Sequence, residues 1–172
     1  MTAAMSADRT ALLIADLTAA GLTVAVAESL TGGSVVAELV RVPGASAVVR
    51  GGVVAYATPL KHSLLGVPAE LLAAHGPVHG DVAAAMAQGV RSAAAVDGHP
   101  ANLGLATTGV AGPDPQDGAP VGLVFVAIAD AEGAIVREHR LAGDRSAIRS
   151  QAVEAALELL TDHLADLLAQ KS

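Results

Sequence analysis

The chain has 172 residues, 52% of them apolar and 16% charged, with a formal net charge of −7 and no cysteine. That is enough for one domain with a full core, and the composition excludes a disordered chain. The acidic balance and the lack of a basic cluster argue against a nucleic-acid partner, and the missing thiols exclude disulfides, thiolate metal sites and cysteine nucleophiles.

Tyr56 and Phe125 are the only aromatic residues besides histidine, so the core must be built from alanine, valine and leucine. The opening "MTAAMSADRT" has no basic segment followed by an apolar core, and no uninterrupted apolar run reaches 18 residues. A cytoplasmic protein with no membrane partner is expected.

Leu12, Leu13, Leu17 and Ala20 recur at helical spacing, and Gly21 stops that helix. "LTVAVAE" follows as a strand buried on both faces, then a helix from Thr31 to Arg41. Ala47 to Tyr56 reads as a strand whose glycine pair suggests a bulge or a close backbone approach. "TPLKHSLLG" predicts a short helix with Thr58 as cap, Pro59 in the first turn and Gly66 as terminator. "PAELLAAHG" gives another helical piece and Asp81 to Val96 a longer one. "NLGLATTG" is a strand entering the loop "VAGPDPQDGAP", and "VGLVFVAIAD" with "GAIVREHRL" forms a strand pair. The last helix spans about Asp144 to Leu168. Alternating strands and helices with one antiparallel pair predict an α/β domain around a mixed sheet.

Four stretches could carry chemistry. In "VAVAESLTGG" the strand runs into Glu28, Ser29, Thr31, Gly32 and Gly33. Such a turn aims backbone N–H groups at a ligand; the plainer reading is a helix cap on Ser29 or Thr31, with glycines for tight packing. Lys61 falls in the first turn of its helix, where the dipole opposes a cation and favours a neutral amine; the alternative is a solvated surface lysine. The only other lysine is Lys171. Thr107, Thr108, Gly109, Gly112 and Pro113 could wall a pocket or form an ordinary loop. Arg145 and Arg149 open the last helix against its dipole, held either by an anionic ligand or by a local carboxylate such as Asp144. The six histidines read as solvent-facing or loop residues, and no metal ligand set is expected.

Taken in order, "AESLTGG", "VPGASAVVRGGVVAYATPLKHSLLGV", "GPV", "TTGVAGPD" with "PVG", and "AGDR" resemble the motifs of the CinA carboxyl-terminal domain family, the nicotinamide-nucleotide amidohydrolases. The resemblance runs from about Leu12 to Leu168. It implies a single three-layer α/β/α domain around a mixed β-sheet and hydrolysis of the carboxamide of nicotinamide mononucleotide, giving nicotinate mononucleotide and ammonia. It further implies Ser29 as nucleophile, Lys61 as base and Tyr56 as a helper that orients Lys61 or relays a proton. Ser46, Thr108, Gly109 and Arg145 fall on the family's pocket positions. Arg145 would pair with the phosphate, while backbone N–H groups near Thr31, Gly32 and Gly33 would hold the oxyanion or the phosphate. Glu28 would either fix Lys61 or hold the turn through backbone hydrogen bonds.

The chain departs from the family pattern at Leu30, usually cysteine, and at Thr58 and Pro59, often asparagine and glutamate. It also departs in the "DPQDGAP" loop, which lacks the usual lysine. A stand-alone form, a homo-oligomer and no cofactor are expected. The competing reading is a catalytically silent nucleotide-binding or accessory module of the same fold.

Overall fold

The computed structural model describes residues 8–170, so the opening seven residues, Lys171 and Ser172 lie outside the described region. Helix α1 (Arg9–Ala20) is capped by the Asp8 side chain and stopped by Gly21 in the left-handed conformation. Strand β1 (Val24–Glu28) is buried at every position, as its unbroken apolar run predicts. Helix α2 (Ser34–Val40) leads through a 3-10 turn (Ala45–Ala47) into β2 (Val49–Val54). Helices α3 (Thr58–Leu65), α4 (Ala69–His75) and α5 (Gly80–Ala93) then return the chain to β3 (Leu103–Gly109). Strands β4 (Leu123–Ala129) and β5 (Ala134–Arg140) precede the long α6 (Arg145–Gln170).

Several expected boundaries shift, and the strand expected over Ala47 to Tyr56 shortens to Val49–Val54. Helix α2 starts at Ser34 rather than Thr31, because Gly32 and Gly33 take positive φ values of 60° and 101° that break helical geometry. The cap of α3 is Ala57, so Thr58 is already helical and its side chain caps nothing. Helix α5 ends at Ala93, before Val96.

The five strands lie in the order β2-β1-β3-β4-β5. Strands β2, β1 and β3 are parallel, whereas β4 and β5 run antiparallel to their neighbours. A leucine- and valine-rich core joins one face of the sheet to α1, α2 and α6. The opposite core, under α3 and α5, is dominated by alanine: Ala25, Ala27, Ala55, Ala83, Ala87, Ala106 and Ala127. The result is a mixed sheet between two helical layers. Its parallel strands end along one edge, the edge where open α/β sheets place their ligands.

Small residues set the approach of α5. A Cβ on Gly104 of β3 would overlap the Ala87 carbonyl oxygen and lie 2.8 Å from Arg91 Cγ. Gly104→Ala is therefore expected to cost about 3 kcal/mol or more, since the obstacle is backbone. Chemical denaturation measures this, and a loss below about 1 kcal/mol would show that α5 can shift to make room.

Candidate active site

Glu28 ends β1 with its side chain fully buried. Its carboxylate accepts from the N–H groups of Gly33 (3.0 Å), Val35 (3.1 Å) and Val36 (2.9 Å). It thus caps α2 from within the strand, where the helix dipole favours an acid. Of the two roles considered for Glu28, the structure selects the backbone one: it makes no bond to Lys61.

The turn between them is tied down on every side. Ser29 N–H donates to the Thr107 carbonyl (3.1 Å), and the Thr31 and Thr107 hydroxyls meet at 2.7 Å in the interior. Arg149 reaches across from α6, donating through Nε to the Leu30 carbonyl (2.9 Å) and through Nη2 to the Thr31 carbonyl (3.1 Å). This arginine is a clamp on the turn and pairs with no carboxylate among the described residues.

Ser29 is brought to Lys61. The Lys61 amine donates to Ser29 Oγ at 2.9 Å and to the Ala55 carbonyl at 2.7 Å. Lys61 is 1% exposed and Ser29 8%. Burial pulls the Lys61 amine down from 10.5 to about 8. The cause is desolvation by burial, and the surface-lysine reading fails.

Around this pair lies a pocket of about 120 Å³ lined by Tyr56, Pro77, Thr108, Gly109, Ala111 and Arg145, among others. The Thr108 hydroxyl donates to the Pro77 carbonyl at 2.6 Å. Tyr56 is 60% exposed and contacts Arg145, whose Nη2 donates to its hydroxyl at 3.1 Å. Arg145 also donates to the Gly112 carbonyl at 2.6 Å. Asp144 is occupied elsewhere, accepting from Ala147 N–H at the start of α6. Arg145 therefore stands at the pocket with no carboxylate partner among the described residues.

Several expected positions fall outside this arrangement. Tyr56 makes no bond to Lys61, because its ring turns outward to Arg145. Ser46 sits exposed in the 3-10 turn before β2, at the amino end of the parallel strands and so at the opposite edge from Ser29. The Gly32 N–H donates to the Ser29 carbonyl and the Gly33 N–H to Glu28, so neither remains for an oxyanion or phosphate. The N–H groups of Leu30 and Thr31 have no protein acceptor among the described residues.

A larger cavity, about 650 Å³, lies between α1, α2 and α6. Its hydroxyl–carboxylate contact joins Thr10 to Glu38 at 2.8 Å, but hydrogen bonding from Arg41 holds the Glu38 carboxyl below its usual range. Glu38 is thus a poor base, and the Ser29–Lys61 pocket is the better candidate for chemistry.

Fold and site together define an α/β domain carrying a buried serine–lysine pair at the carboxyl edge of its parallel strands. The CinA C-terminal domain family matches residues 7–164, and the chain belongs to that family. It is 53% identical over 145 residues to a CinA-like protein of Frankia casuarinae, covering 84% of this chain and 32% of that protein. It is 48% identical over 145 residues to a CinA-like protein of Geobacter sulfurreducens, covering 84% and 34%. The chain thus spans about a third of the length of these curated relatives. Among solved structures, the competence/damage inducible protein CihA from Agrobacterium tumefaciens superposes with a TM-score of 0.81 at 35% identity, covering 93% of this chain and 98% of that one. A CinA superfamily protein from Klebsiella pneumoniae gives 0.85 at 32% identity, covering 92% and 96%. Among the described residues no helix is long and apolar enough to cross a membrane.

The buried amine has a consequence for stability. With a folded pKa of about 8 against 10.5 unfolded, its desolvation penalty is fully present below about pH 8 and disappears as pH rises toward 10.5. The penalty is roughly 3 kcal/mol at neutral pH. Lys61→Met is expected to raise unfolding free energy at pH 7 by about 2 kcal/mol, with the gain shrinking toward pH 10.5. A variant less stable than the parent at pH 7 would mean that the two amine hydrogen bonds outweigh desolvation.

Proposed function

We propose that this chain hydrolyses the carboxamide of nicotinamide mononucleotide, releasing ammonia and nicotinate mononucleotide. The observation that carries the reading is the Lys61 amine, buried and lowered to about 8, at 2.9 Å from Ser29 Oγ. An amide is a weak electrophile, so its hydrolysis needs an activated nucleophile and a place for the oxyanion. A neutral Lys61 takes the Ser29 proton as Oγ attacks the carboxamide carbon. The tetrahedral oxyanion is held by the Leu30 N–H, the donor directly after the nucleophile. Lys61 returns the proton to the leaving nitrogen, and ammonia departs. Water, deprotonated by Lys61, then attacks the Ser29 ester, and its collapse restores the serine.

Arg145 takes the phosphate at the pocket mouth, with Tyr56 holding the guanidinium in place. A pocket of 120 Å³ is smaller than the roughly 300 Å³ of a complete ligand site. It accepts the reacting end of the substrate, while the phosphate lies toward the exposed Arg145. A silent binding module accounts less well for Lys61, because burying an amine lowers stability and this amine donates to Ser29 Oγ and the Ala55 carbonyl.

Ser29→Ala should abolish ammonia release while leaving ligand binding intact. Lys61→Ala should do nearly the same, and the double variant should be little worse than either, since the two act as a unit. Turnover in the parent should rise with pH through about 8, as Lys61 loses its proton. Ammonia release by the Ser29→Ala protein at the parental rate would rule out the mechanism.

Arg145 makes a separate expectation. Arg145→Ala should raise KM for the mononucleotide about tenfold or more with little change in kcat, in keeping with the loss of a charge-assisted contact. Nicotinamide riboside, lacking the phosphate, should be a poor substrate for the parent and equally poor for the variant. Unchanged KM would return Arg145 to a purely structural role on the Gly112 carbonyl.

A further inference from the structure

The corner between α4 and α5 carries a group of side chains that the reaction does not use. His75 is the last residue of α4, and the chain reverses at once through Gly76, whose φ is 72°. His79 precedes the first residue of α5 and Asp81 lies in its first turn. The two imidazoles, four residues apart, are stacked with centroids 4.1 Å apart and planes inclined by 15°. His79 Nδ1 and Asp81 Oδ2 are 3.8 Å apart. One donor atom from each of the three side chains can be chosen so that all lie within 4.8 Å of one another. No metal ligand set is expected from the sequence, yet His75 and His79 stand at an HxxxH spacing.

We propose that His75, His79 and Asp81 bind one divalent ion of the zinc, cobalt or nickel class. Two imidazoles and a carboxylate suit these borderline ions better than magnesium or calcium, which prefer oxygen donors. Around a tetrahedral ion with bonds of about 2.0–2.1 Å, donors stand about 3.3 Å apart. His75 and Asp81 are exposed and His79 half-buried, so side-chain rotation can close the remaining gap. Three protein donors leave a fourth position for water. The competing demand is the N-cap of α5, where Asp81 N–H donates to His79 Nδ1 at 3.2 Å. That bond is long and exposed, and it requires neither His75 stacked on the ring nor the Asp81 carboxylate turned toward it. The carbonyl end of α4 attracts a cation and offsets the opposing field at the start of α5.

A bound ion would pin α4 to α5 across the segment containing Pro77 and Val78, which line the candidate active site. It would stiffen that wall without touching Ser29 or Lys61.

The test is titration of the metal-free full chain with cobalt(II), read by visible absorption, and with zinc, read by equilibrium dialysis. One equivalent should bind, and the thermal midpoint should rise with zinc concentration. His79→Asn retains a capping side chain and His75→Gln alters only the exposed end of α4. Each should weaken binding at least about tenfold, a loss of about 1.4 kcal/mol, with the metal-free midpoint unchanged. Asp81→Asn should shift the cobalt spectrum. Uptake of no stoichiometric ion, or unchanged affinity in the His75→Gln protein, would overturn the site. The proposal does not rest on the amidohydrolase reading: chelated protein should retain its basal ammonia release, and a protein without that activity should still bind the ion.

Discussion

The candidate site depends on one buried carboxylate. Glu28 turns back from the end of β1 to cap α2 through three N–H groups, which fixes the angle between strand and helix. The same residue is tied sideways, since its carbonyl accepts from Ala55 N–H at 2.9 Å. Ala55 in turn offers its own carbonyl to Lys61, and Lys61 reaches Ser29, the neighbour of Glu28. A short circuit of hydrogen bonds therefore closes a gap of 32 residues in sequence. Removing the acid would leave buried N–H groups unpaired and loosen both ends of that circuit. The two glycines of the turn serve the same geometry: their left-handed conformation lets the chain pass Ser29 and still deliver its N–H groups to Glu28.

Lys61 places two requirements in opposition. For the proposed reaction its amine must be dry enough to be a base near neutral pH, yet dryness penalises its charged form. The Ala55 carbonyl and the Ser29 hydroxyl satisfy the amine without supplying a negative charge. A carboxylate in either position would stabilise the ammonium and raise the pKa again. Committing Glu28 to α2 keeps the acid adjacent to the serine away from the lysine, and the absence of an acid–lysine bond is as consequential as the serine–lysine bond itself.

Much of this layout is legible in the sequence, for local reasons. The apolar run of β1, the helix stop at Gly21 and the amphipathic α6 follow from periodicity and capping chemistry, and the family motifs place Ser29 and Lys61. The less legible features depend on long-range contacts. Lys61 reads as a first-turn cation, and its burial appears only when α3 packs against the sheet. Arg145 and Arg149 share a helix end and look equivalent, yet one reaches Tyr56 and the other clamps carbonyls 118 and 119 residues away. Ser46 lies near the site in the motif order but at the wrong end of the parallel strands. The pairing of His75 with His79 has a legible spacing, but their stacking depends on the sharp reversal at Gly76.

The composition then acquires a mechanistic sense. Alanine and glycine dominate the layer under α5, and large side chains there would hold the helices away from the sheet. A Cβ on Gly89 would overlap the Leu65 carbonyl oxygen, so the end of α3 lies directly against α5. Gly104 lets α5 reach β3 in the same way. This close approach packs α3 against α5, on the helix whose Lys61 side chain is buried and desolvated. The scarcity of aromatic residues, which leaves the core to alanine, valine and leucine, thus bears on the surroundings of Lys61. A bulkier core could preserve the same topology, but it would lift α3, admit water and return the lysine toward its ordinary pKa.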